Sequence, residues 1–129
     1  MARLKRLVAL TWVVFAASAE GNPNLDGYLA ELAEKVGQTG FSSARGEALW
    51  FTDYDGRRCT SCHLDSIFAA GRHQKTGKVI EPMAPSANPK RLTDVKKMKK
   101  WFLRNCKWTL GRECTALEKG DVLVWLRAQ

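Results

Sequence analysis

Cys59-Thr60-Ser61-Cys62-His63 decides how the rest of this 129-residue chain is read. C-x-x-C-H is the attachment signature of a c-type haem. Two thiols three residues apart on a helical turn can bond the two vinyl groups at one haem edge, and the adjacent histidine reaches the iron from the same side. His63 is then the proximal ligand. Zinc would need two further ligands, and His73, Cys106 and Cys114 stand at no zinc-finger spacing. A thioredoxin-type redox pair would need a strand leading into a helix, whereas Phe51 to Arg58 is a polar turn containing Asp53, Asp55 and Gly56.

The start of the chain agrees with that choice, because c-type haem is attached outside the cytoplasm. Arg3, Lys5 and Arg6 form a positive segment, Leu7 to Ala16 an apolar one broken only by Thr11, and Ala17-Ser18-Ala19 a small-residue cleavage site. The apolar run is about ten residues, against roughly 20 for a membrane-spanning helix. Residues 1–19 therefore read as a cleaved export signal and 20–129 as one periplasmic, soluble domain with no permanent anchor. The signal takes three of the 21 basic residues and none of the 13 acidic ones, so the formal charge falls from +8 to +5. Two haem propionates lower it further.

Along the mature chain, apolar residues at Leu25, Tyr28, Leu29, Leu32, Ala33 and Val36 keep helical spacing between Asn24, the expected cap, and Gly37. Ser42 or Ser43 caps a second helix through Gly46, Leu49, Trp50 and Phe51. Ser66 to Pro89 loses periodicity and holds Gly71, Gly77, Pro82, Pro85 and Pro89, which predicts a loop wrapped over the haem. Thr93 is the expected cap of a third helix of about a dozen residues, on which Val95, Met98, Phe102, Asn105 and Cys106 form one stripe at the 3.6-residue period. Thr115-Ala116-Leu117-Glu118 is a capping box that opens the last helix. Gly46-x-x-x-Trp50 and Asp121-Val-Leu-Val-Trp-Leu126 resemble the N- and C-terminal helices of class I cytochromes c, in which a small residue lets the two cross closely. The expected fold is all-α, class I cytochrome c-like, with an additional N-terminal helix and the long haem-wrapping loop.

For the other side of the iron the residues leave four candidates. Met83 lies in Pro82-Met-Ala-Pro85, Met98 one turn into the third helix, His73 in the loop, and Asn105 is a polar residue on a face expected to turn inward. A carrier with Met83 or Met98 permanently on the iron would transfer electrons and nothing more.

Gly77-Lys-Val-Ile-Glu-Pro-Met-Ala-Pro-Ser86, Asn88-Pro-Lys-Arg-Leu-Thr-Asp94, Trp101-Phe-Leu-Arg-Asn-Cys106 and Leu110-Gly-Arg-Glu-Cys114 form a series that resembles the sphaeroides haem protein (SHP) type of monohaem cytochrome c, and more loosely cytochrome c″. The resemblance spans essentially the whole mature chain. It implies a protein that binds oxygen and nitric oxide, an asparagine sixth ligand at Asn105 where cytochrome c″ has histidine, and a disulfide between Cys106 and Cys114. A neutral amide oxygen is a hard, weak donor that suits ferric better than ferrous iron, so reduction should loosen it and open the site to a diatomic gas.

One covalently attached haem c is the expected cofactor. An acidic protein or another cytochrome is the expected redox partner, steered by Lys96, Lys97, Lys99 and Lys100 with Lys90, Arg91, Arg104 and Lys107 as a positive rim. No nucleic acid is expected as a partner of an exported haem protein. No Ser/His/Asp or carboxylate-pair constellation suggests hydrolysis. An electron carrier and gas binder is therefore preferred to a dedicated enzyme, with turnover of bound oxygen, as in a nitric oxide dioxygenase, as the catalytic alternative.

Overall fold

The computed structural model describes residues 21–129; the expected export signal lies outside the described residues. Five helices carry the fold: α1 (Pro23–Val36), α2 (Ser43–Phe51), α3 (Thr60–His63), α4 (Val95–Leu110) and α5 (Ala116–Arg127). A two-stranded antiparallel hairpin, β1 (Gly71–Arg72) with β2 (Val79–Ile80), is the only sheet among the described residues.

Helix α1 starts one cap earlier than its apolar pattern suggests. Asn22 accepts from the Leu25 N–H at 3.2 Å, and Pro23 takes the first helical position, where a missing N–H costs nothing. Asn24 is inside the helix, and its amide instead donates to the Thr93 carbonyl at 2.7 Å, as that of Asn22 does to Leu92. These two bonds tie the start of α1 to the segment preceding α4. There the cap is Asp94 rather than Thr93: its carboxylate accepts from Lys97 N–H at 3.0 Å, while the Thr93 hydroxyl turns back to Lys90. The helix is 16 residues long and ends at Gly111 in the left-handed conformation (φ 74°).

Helices α2 and α5 cross at Gly46. A Cβ placed there would run into the Asp121 carbonyl and the Val122 nitrogen, so only glycine lets the two backbones meet. Asp121 closes the same crossing from the other side, although only 3% of its surface is exposed. Its carboxylate accepts from Ser42 N–H at 2.6 Å and from Arg45 at 2.7 and 2.9 Å, a bidentate pair that satisfies a charge otherwise costly to bury. Trp50 and Trp125 fill the crossing with ring centroids 5.5 Å apart. Leu25, Leu29 and Leu32 of α1 join Val122, Leu123 and Leu126 of α5 in the same core.

Cys106 and Cys114 are disulfide-bonded, with Cα atoms 5.5 Å apart. The bond holds the last turns of α4 against the start of α5. That junction is fastened again by the Thr115/Glu118 capping box and by Arg112, which donates to Glu118 at 2.7 Å. Closing a loop of about nine residues is worth about 2.6 kcal/mol on the chain-entropy account. A Cys106→Ser/Cys114→Ser double variant of the holoprotein should lose about that much in urea unfolding; unchanged stability would mean the helix junction is held without the bond.

Candidate haem site

Helix α3 is a single turn, and its shortness suits its task. Cys59 and Cys62 are free and partly buried, and the Cys59 thiol is pushed up to about 11 by burial, so it stays protonated at neutral pH. Addition of an S–H across a vinyl double bond is the chemistry such thiols can offer. Gln74 N–H donates to Cys62 Sγ at 3.4 Å, which brings the hairpin turn onto the motif. Leu64 ends the turn with φ 61°. A Cβ on Gly71 would collide with the Cys62 carbonyl and His63 Cα. The sequence marks Gly71 only as a loop glycine; its role is to let β1 pass against the motif.

His63 is neutral. Burial, with the charge of Arg91 beside it, brings its imidazole down to about 4. A neutral imidazole is the form that ligates iron. Its ring lies 5.0 Å from that of Trp50, and its Nδ1 is buried with no hydrogen-bond partner among the described residues. Metal-binding histidines ordinarily donate their second ring N–H to an acceptor that makes them stronger ligands. His63 has no such acceptor among the described residues.

The four distal candidates fall in different environments. Met98 is 7% exposed inside the core, and Met83 packs against that core while its N–H donates to the Ile67 carbonyl at 2.8 Å. His73 uses Nδ1 to accept from the backbone N–H groups of Lys75 and Thr76 at 3.3 and 3.1 Å, closing the hairpin turn. Asn105 is exposed, which departs from the inward face expected for it. It lies at the edge of the α4 stripe, one turn beyond Trp101, which is itself 45% exposed, whereas Met98 and Cys106 occupy the buried centre. The positive rim is also thinner than expected. Arg91 is half-buried and bonded to backbone carbonyls, Lys99 is held by Glu31 at 2.6 Å, and Lys107 by Glu113 at 3.3 Å.

Residues 36–126 match the family described as "Domain of unknown function (DUF1924)". The chain is 46% identical over 90 residues to the cytochrome c-type protein SHP of Cereibacter sphaeroides, covering 66% of this chain and 69% of that one. The structure of oxidized SHP, an oxygen-binding cytochrome c, superposes with a TM-score of 0.75 at 39% identity, over 81% of this chain and 96% of that one. The solution structure of cytochrome c″ from Methylophilus methylotrophus, which concerns haem-ligand detachment, gives 0.68 at 26% identity, over 84% and 96%.

The helical fold around a C-x-x-C-H turn defines a class I-like c-type cytochrome with one covalently attached haem c. Within that class the chain belongs to the SHP family. The residues present fit the group: two free thiols and a neutral imidazole stand on one turn, and Leu64 and Phe68 beside it keep 48% and 53% of their apolar surface exposed.

Proposed function

We propose that this protein is a periplasmic cytochrome that passes single electrons and, when ferrous, binds O₂ or NO at a position gated by Asn105. The observation that carries this reading is the environment of the competing donors. Both methionines are absorbed in packing and the His73 lone pair is committed to its own turn, whereas Asn105 stands exposed one residue ahead of the Cys106–Cys114 bond. The oxygen binding of SHP and the ligand detachment studied in cytochrome c″ support a sixth ligand that can leave.

Haem c, when bound, supplies a one-electron couple and a gas-binding position. Cys59 and Cys62 would bond its edge, and His63 would offer the iron a neutral imidazole. The Asn105 amide oxygen, a weak and hard donor, would suit ferric better than ferrous iron. The disulfide keeps that helix end in place.

Export is supported by the charged, apolar and small-residue segments ending at Ala19; among the described residues no helix is long and apolar enough to cross a membrane. For an acidic redox partner the available surface is Lys96, Lys100 and Arg104 around Trp101, over which the last two stack their charges at 5.3 and 5.7 Å from the ring centre.

Asn105→Ala should open the ferric site to water or added anions while sparing the fold. Asn105→His should close it with a stronger nitrogen ligand and slow gas binding. Ferric spectra and ferrous NO-binding rates of both variants, compared with the parent, test this. The gate is refuted if Asn105→Ala changes neither while Met83→Ala changes both, a result that would make Met83 the ligand and the protein a plain electron carrier.

A further inference from the structure

The backbone of His63 is pinned, while its ring is held by no hydrogen bond. β1 lies so close at Gly71 that a Cβ there would collide with the Cys62 carbonyl and His63 Cα, so the main chain of the turn has no room to shift. The second ring nitrogen of a metal-bound histidine ordinarily fixes the plane of the ring through a hydrogen bond. In His63 that atom, Nδ1, has no partner among the described residues and is closed to solvent. The torsion that turns a histidine ring is broad and roughly two-fold, so its own wells leave the plane open.

Trp50 supplies the missing constraint. Its ring centroid lies 5.0 Å from that of His63, at an interplanar angle of 37°. Trp50 is 5% exposed, and its Nε1 is also buried without a hydrogen-bond partner among the described residues, so no polar bond draws the indole elsewhere. Packing places it. Trp125 lies 5.5 Å away at 51°, Phe51 meets Trp125 edge-on at 6.0 Å, and Gly46, one turn earlier on α2, sets that helix backbone to backbone against Asp121 and Val122. A line of contact therefore runs from the α2–α5 crossing through Trp50 to the imidazole. Leaving a buried donor unpaired costs stability, and the side chain that does so is the one stacked on the iron ligand.

We propose that Trp50 is a positioning residue for the iron: it aims the His63 imidazole by packing, and the α2–α5 crossing thereby sets the plane in which the proximal ligand is offered. The proposal rests on haem attachment at Cys59, Cys62 and His63 and is independent of the sixth ligand, so it can fail while the Asn105 gate stands.

Proton NMR of the ferric holoprotein saturated with cyanide tests it. Cyanide takes the sixth position whatever residue held it and is cylindrically symmetric, so the order and spread of the haem-methyl resonances report the direction of the imidazole plane. Trp50→Leu removes the ring and keeps an apolar filler; the spread should contract about twofold as the imidazole samples the breadth of its torsion. Trp50→Phe restores a flat ring without an N–H and should keep the parent order. Leu29→Ala, in the same core but on α1, should lower stability and leave the methyl pattern alone. Should Trp50→Leu fail to accumulate as holoprotein, the parent carries the test through nuclear Overhauser contacts between the Trp50 indole and His63 ring protons, which the stack requires.

A parent-like methyl pattern in Trp50→Leu overturns the proposal, since Trp50 would then only fill the crossing. A contracted spread in Trp50→Phe does the same by assigning the effect to the indole N–H, as does one in Leu29→Ala by assigning it to general loosening of the core. Absence of indole–imidazole contacts in the parent also overturns it.

Discussion

Gly46→Ala is expected to destabilise the holoprotein by about 3 kcal/mol, the upper end of the usual cost of overpacking. The added methyl meets backbone on the far side, the Asp121 carbonyl and the Val122 nitrogen, and backbone cannot swing aside as a side chain can. Relief requires α5 to slide away from α2, which loosens Trp50 against Trp125 and breaks the Ser42 and Arg45 bonds to Asp121. Two other glycines calibrate the effect. At Gly120 the new methyl would meet only the Phe41 ring, which can turn, so Gly120→Ala should cost less. Gly27 lies inside α1 with nothing within 4 Å, and Gly27→Ala should stabilise by about 0.5–1 kcal/mol through helix propensity. Thermal or urea unfolding of the three variants checks the order; equal effects at Gly46 and Gly27 would show that the crossing is looser than the contacts indicate.

His63→Ala is expected to abolish the stable holoprotein. Among the described residues the other donors near the motif have other work: Cys59 and Cys62 would bond the haem edge, and His73 uses its Nδ1 lone pair in the hairpin turn. Loss of the imidazole also removes the ring that packs 5.0 Å from Trp50, leaving a cavity beside the α2–α5 crossing. Intact mass and haem staining of the exported protein, made with a competent maturation system, measure the result. A variant that accumulates with one haem and a parent-like ferric spectrum would remove His63 from the iron.

The elements easiest to read in the sequence were those whose signals are local. C-x-x-C-H lies within five residues, and the Thr115/Glu118 capping box within four. Gly46 and Trp50 could be assigned to a helix crossing before any coordinate through their resemblance to the N-terminal helix of class I cytochromes c, in which a small residue lets the C-terminal helix cross closely and an aromatic fills the gap. Errors of one or two residues came where two capping residues compete: Asn22 over Asn24, since Pro23 favours the first helical position, and Asp94 over Thr93, since a carboxylate at the cap also opposes the helix dipole. The hairpin at Gly71–Arg72 and Val79–Ile80 left no trace in the pattern, because strands of two residues have no period.

By itself, then, the sequence determined the cofactor chemistry, the helical class and the pairs of residues that make local turns and caps, since each depends on neighbours a few bonds apart. Tertiary structure alone decided what depends on distant partners. Asp121 reads as an ordinary exposed acid until Arg45, 76 positions away, is brought to it. Arg91 reads as one more surface cation until the Glu81 and Pro82 carbonyls accept from it and hold it half-buried. Asn105 reads as inward-facing on a helical wheel, and is exposed because α4 turns the centre of its stripe, Met98 and Cys106, toward the core and leaves the edge with Trp101 and Asn105 uncovered. Periodicity determines which residues share a face, but only the packing of one helix against the others determines how far around that face the burial extends.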